Sequence, residues 1–184
     1  MGFFDDMPAA EPEPPRRPHH PWEPPEAEFP GIVPVDSLVL GRTDQAAAAV
    51  TGLAAFSNGF EIFLTAHIRP GDEGGERPDP AMARSFRFGM QLSDGRKVIG
   101  RRGGRGAFPD TEPVEPILRQ FMGGASPHTV MARWWAWPLP PKGPLEFVCE
   151  WPALGIPQTR AELDAALILE AADRSIRLWP EDEA

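Results

Sequence analysis

Residues Ala132 to Pro152 read ARWWAWPLPPKGPLEFVCEWP. This run holds four of the chain's six tryptophans, Trp134, Trp135, Trp137 and Trp151. Two stretches of alternating side chains flank a Pro/Gly segment. In the second, Leu145, Phe147, Cys149 and Trp151 share one face, and Glu146, Val148 and Glu150 share the other, the period-2 pattern of a strand. The run is therefore expected to form a β-hairpin, Thr129–Leu139 against Leu145–Trp151, whose indoles anchor the core.

Other hairpin signals lie upstream. Val33 to Gly41 reads as a first strand. Ala46 to Ser57 and Phe60 to Arg69 flank Asn58-Gly59, the pair that a two-residue type I′ turn prefers because both positions need positive φ. That turn would set Ser57 opposite Phe60, Ala55 opposite Ile62 and Leu53 opposite Leu64. Ser85 to Ser93 alternates well, and Asp94-Gly95 turns it into Arg96 to Gly100. Pro70 to Ala83 and Arg101 to Pro116 read as loops, and Ile117 to Met122 is ambiguous between a strand and one helical turn. Thr159 and Glu162 form a capping box, which predicts a helix from Thr159 to about Arg174. Ser175 to Trp179 adds a short terminal strand. Short strands with regular turns and one late helix predict a mainly β fold. The expected architecture is an antiparallel β-sandwich or open barrel with one C-terminal helix packed on it.

The chain has 184 residues, 24 prolines and 18 glycines, which suits one domain built of short elements. Its net charge of −9 is unevenly placed. Residues 1–30 hold seven acids and two arginines, and Glu181, Asp182 and Glu183 close the chain, so the body between is nearly neutral. A neutral body argues against a nucleic-acid binder, which needs a basic face. Residues 1–30 also hold nine prolines and are expected to be a disordered acidic arm. The boundaries predicted are an arm at 1–30, one β-sandwich domain at 31–180 and an acidic tail at 181–184. Phe3, Phe4, Trp22 and Phe29 are apolar anchors within the arm, suited to docking on this domain or on a partner. No secretory signal and no apolar stretch of about 18 residues is visible, which predicts a cytoplasmic protein that spans no membrane.

Candidate chemistry is sparse. Trp135 and Trp137 share a strand face; exposed, such a pair stacks on sugar rings or prolines, and buried it fills a core. Arg101, Arg102 and Arg105 lie in RRGGRG, a segment able to contact phosphate but without the lysine and hydroxyl of a P-loop. His67 and His128 lie outside any metal-binding spacing, so neither a metal nor a cofactor is expected. The lone Cys149 cannot form an intrachain disulfide and alternates inward, as an inert thiol. Glu146 and Glu150 share a strand face and with Glu61 and Asp110 are the candidate acid pair.

The signature WxWPLPPxGPLxFxxEWP on Trp134 to Pro152, with the later LDAA helix and LWPED, resembles a group of high-GC bacterial proteins. That resemblance implies a shared fold over residues 31–182 and carries no activity or site residue. The residues themselves point to a non-enzymatic binding or scaffold protein with a docking arm, a protein partner and the option of self-association. Two alternatives stand beside it. One is a module for a carbohydrate or phosphorylated ligand, using the Trp face or the Arg-Gly loop. The other is a hydrolase using His67 or His128 with a nearby carboxylate.

Overall fold

The computed structural model describes residues 19–70, 85–103 and 108–179. Thirteen strands follow in order among them: β1 (Glu28–Phe29), β2 (Gly31–Ile32), β3 (Leu38–Arg42), β4 (Ala46–Ala55), β5 (Phe60–Ile68), β6 (Arg87–Gln91), β7 (Lys97–Ile99), β8 (Arg101–Arg102), β9 (Ile117–Ala125), β10 (Thr129–Trp137), β11 (Pro144–Trp151), β12 (Ile156–Asp164) and β13 (Ile176–Arg177). One α-helix, α1 (Ala166–Ala172), precedes β13. The large sheet runs β2-β4-β5-β10-β9-β8, with β3 also paired to β4. The small sheet runs β12-β11-β6-β7, and β1 pairs with β13 in a two-stranded ribbon. Every pairing is antiparallel except β8 with β9. The fold is thus mainly β, with no closed barrel among the described residues and a single described α-helix, as expected for a β-sandwich.

The inner faces of the two sheets share one core. Leu53, Ile62, Leu64, Leu118 and Trp134 come from the large sheet, and Phe88, Met90, Leu145, Phe147, Cys149 and Trp151 from the small one. The rings of Phe88 and Trp134 meet across the sheets at 5.4 Å. Gly41 lets β3 approach β12, because a Cβ there would lie 2.4 Å from Ile156 Cγ2.

The tryptophan-rich run does not form the expected hairpin. β10 lies in the large sheet between β5 and β9, and β11 lies in the small sheet between β12 and β6. The intervening segment, with Pro138, Pro140 and Pro141 and a cis Trp137–Pro138 bond, carries the chain from one sheet to the other. Three prolines in four residues leave too few N–H donors for a ladder. The alternation itself holds: Leu145, Phe147, Cys149 and Trp151 are all buried.

The Asn58-Gly59 turn is also corrected. The Phe56 N–H donates to Gly59 O at 2.8 Å, so the two-residue loop is Ser57-Asn58. Ala55 sits opposite Phe60, and Leu53 opposite Ile62. Neither Asn58 nor Gly59 has positive φ. Gly59 is needed for a different reason: a Cβ there would lie 2.5 Å from Ala136 O and 2.6 Å from the Trp135 ring. A shift of two residues preserves faces, so Leu53, Ala55, Phe60 and Ile62 still point inward together. A bulge between Val50 and Gly52 then turns Val50, Ala48 and Ala46 inward as well.

The predicted helix begins too early. Residues 156–164 form β12, paired along β11 with Leu163 opposite Leu145 and Ala161 opposite Phe147. Thr159, Ala161 and Leu163 alternate with the exposed Arg160, Glu162 and Asp164, so a period-2 pattern overrides the capping box. The helix starts after Asp164, whose Oδ1 accepts the Ala166 N–H at 2.9 Å. α1 buries Ile168, Ala171 and Ala172. Its close approach to β2 rests on Gly31, where a Cβ would lie 1.9 Å from Ala171 O.

Ile117–Ala125 resolves as a strand, and the Asp94-Gly95 turn forms with Gly95 at φ 87°. Arg101 and Arg102 form the short edge strand β8 where a loop was expected. The expected loop at Pro70–Ala83 lies, but for Pro70, outside the described residues, as does the 181–184 tail. Substituting Gly31→Ala should lower stability by about 1–3 kcal/mol through overpacking, a fall of about 2–10 °C in Tm. A thermal melt indistinguishable from wild type would contradict the close contact between helix and strand.

Candidate functional site

Consecutive residues on a strand face opposite sides of the sheet. Trp134 therefore enters the inter-sheet core, and Trp135 points to the outer face of the large sheet. An outward indole would ordinarily meet solvent, yet Trp135 is 0% exposed. What covers it is the described part of the arm. The expected disordered arm is corrected for residues 19–30: they pack across the outer face and include β1.

The contact is polar as well as apolar. The Trp135 indole N–H donates to Trp22 O at 2.8 Å. The Trp22 indole N–H donates in turn to Pro109 O at 2.9 Å. Trp22 is buried, and its ring stacks on His20 at 4.6 Å with nearly parallel planes. Phe56 packs edge-on against Trp135 at 5.6 Å. The β4–β5 loop clamps the segment on both sides. Asn58 Nδ2 donates to Pro21 O at 2.6 Å and to Glu23 O at 3.0 Å. The Glu28 carboxylate accepts the Ser57 N–H at 3.1 Å and the Ser57 hydroxyl at 2.6 Å. Beyond Glu28, β1 pairs with β13, with Phe29 opposite Ile176. The result is a groove whose floor is Trp135 and Phe56 and whose occupant is a Pro-rich strap.

Trp22 is buried against its own domain. Trp135 is closed off and cannot stack on a sugar; Trp137 is half-buried beside Ile117. Arg101 and Arg102 are exposed on β8, opposite Arg119 and Gln120 of β9, and Arg102 Nη2 donates to Phe86 O at 2.8 Å. Phe3, Phe4 and Arg105 lie outside the described residues. Ser57, Asn58 and Pro109 complete the groove, and Glu28 of the strap answers Ser57. Their sequence signal was ambiguous, because Ser, Asn and Pro read as turn formers whatever they clamp.

The other candidates do not assemble an acid pair or a nucleophile. Glu61 pairs with Arg133, Glu146 with Arg160 and Glu150 with Arg87. Glu61 lies on the large sheet, while Glu146 and Glu150 lie on the small one. Arg133 also lies over the Phe63 ring, 4.8 Å from its centroid. His67, His128 and Asp44 line one solvent-facing cleft, where His67 Nδ1 is 3.3 Å from Thr129 Oγ1. No group of three His, Cys, Asp or Glu residues among those described is placed to hold a metal. No described helix is long and apolar enough to cross a membrane. Burial pushes the Cys149 thiol up, partly offset by the Thr159 hydroxyl 3.4 Å from its sulfur. A thiol raised in this way is a poor nucleophile.

Compared with known proteins, the chain matches no family model, no curated protein and no solved structure.

The thiol gives a direct check on the core. Iodoacetamide at pH 8 should leave Cys149 unlabelled in the native protein and label it fully in denaturant. Rapid native labelling, read by mass spectrometry, would mean that the small sheet does not enclose this side chain.

Proposed function

We propose that this is a non-enzymatic binding protein whose working element is the groove over Trp135, a reader of Pro- and Trp-bearing segments. One observation carries the reading: an indole N–H at the groove floor donates to the carbonyl of a Pro-rich segment, and the segment's tryptophan is buried beside it. An aromatic groove with a donor aimed at an exposed carbonyl is the chemistry by which Pro-rich peptides are recognised. Such peptides lose little entropy on docking because their backbone is already extended. In this chain the arm fills the groove in cis, and a partner presenting a similar segment competes for it.

Competition against a tethered occupant is demanding, because a short tether gives an effective concentration of about 1 mM or more. The test therefore weakens the tethered occupant within the full chain. Trp22→Ala should bind a labelled peptide of residues 19–30 saturably in fluorescence anisotropy, at least about tenfold tighter than wild type does. Adding Trp135→Phe, which keeps one aromatic ring but removes the donor and part of the floor, should weaken that binding at least about fivefold, the worth of one hydrogen bond or more. Failure of the Trp22→Ala chain to take up the peptide would sink the reading.

A further inference from the structure

The small sheet ends on β12, a strand of nine residues. β11 lies on one side of it, and among the described residues no strand pairs with the other side. β3 meets β12 at the side chains of Ile156 and Thr159, near the start of the strand. The ladder decides which backbone groups the open side presents. The Ala165 N–H donates to Gly143 O at 2.9 Å, one step beyond the pair of Asp164 with Pro144. Hydrogen-bonded and non-bonded pairs alternate along an antiparallel ladder, so Leu163 and Ala161 also turn their N–H and C=O groups to β11. Pro144, with no N–H to give, falls at a non-bonded pair. Arg160, Glu162 and Asp164 therefore aim their backbone groups away from the sheet. An open row of this kind is a template for a further strand.

The side chains say which strand fits. Glu162 is exposed, and no ion pair among the described residues includes it. Its neighbour across the ladder is Glu146, and like charges directly opposite destabilise a sheet. Glu146 is held by Arg160; Glu162 has no such answer within its own chain. A second copy of β12, laid antiparallel, supplies one. With Ala161 facing itself on a twofold axis, Arg160 of each copy stands opposite the partner's Glu162. Both residues have outward backbone groups, as the bonded pair of a ladder requires. The registers on either side of this one set Arg160 against Arg160 or Glu162 against Glu162, so charge selects between them. We propose that the chain self-associates through β12, joining two four-stranded sheets into one continuous sheet. Arg160 then lies between Glu146 of its own chain and the partner's Glu162. This contact is independent of the groove over Trp135, and either can fail without the other.

The test is sedimentation velocity on the full chain from about 10 μM to about 1 mM, the range suited to a small interface. Wild type should pass reversibly from monomer to dimer. Arg160→Glu and Glu162→Arg each set like charges at both crossings, and each should weaken the dimer about tenfold or more. The double variant, Arg160→Glu with Glu162→Arg, should return to within about threefold of wild type. It also gives Glu146 a cation opposite, so its own sheet is not left short of one. Glu162→Pro removes an outward N–H and leaves the bonds to β11 alone; it should abolish the dimer while Tm holds. A monomer throughout that range sinks the proposal. A dimer indifferent to Glu162→Pro, or a double variant as weak as the single ones, would place the contact elsewhere, as in exchange of straps between copies, and would overturn it as well.

Discussion

Two consecutive tryptophans on one strand cannot share a side of the sheet, and the rest of this structure is arranged around that constraint. Trp134 and Trp135 are both almost wholly buried, so each face of β10 must be covered. The small sheet covers the first through Phe88 and its neighbours. The strap covers the second through Trp22, Phe56 and the clamp at Ser57-Asn58. The molecule therefore has a main core between its sheets and a lesser one outside the large sheet. A sandwich normally leaves its outer faces to solvent; here part of one is enclosed by residues 19–30.

Much of the fold was legible because alternation is a local property. The inward set Leu145, Phe147, Cys149 and Trp151 follows directly from period 2, as does the inward set of Leu53, Ala55, Phe60 and Ile62. What local pattern cannot report is which strand lies beside which. The Trp-rich run looked like a hairpin because its arms are close in sequence, yet its prolines send them to different sheets. Thr159 and Glu162 fit a capping box equally well, but pairing of Ala161 with Phe147 and Leu163 with Leu145 keeps the segment extended. In both places long-range pairing prevailed over a local motif.

The site was half legible for the same reason. Trp22 stood out as an apolar anchor in a segment too polar to fold alone. Its receptor as a unit did not, because Trp135, Ser57, Asn58 and Pro109 are scattered along the chain and converge only after β4, β5 and β10 are side by side. Asn58-Gly59 shows how a correct residue choice can have a different cause. Gly59 is small so that the Trp135 ring can pass, and Asn58 turns its amide to the strap instead of adopting a left-handed backbone.

The pairing of β1 with β13 has a mechanical consequence. Glu28 faces Arg177, Phe29 faces Ile176, and the Leu178 N–H continues the ladder to Ala27 O. Because the strands run in opposite senses, residues 27 and 178 leave the ribbon at the same end. Tension applied through those two segments would open it like a zipper, one bond after another, instead of shearing all its bonds at once. Held at those two points, the ribbon would yield first, and the load would then pass to β2 in the large sheet and to α1.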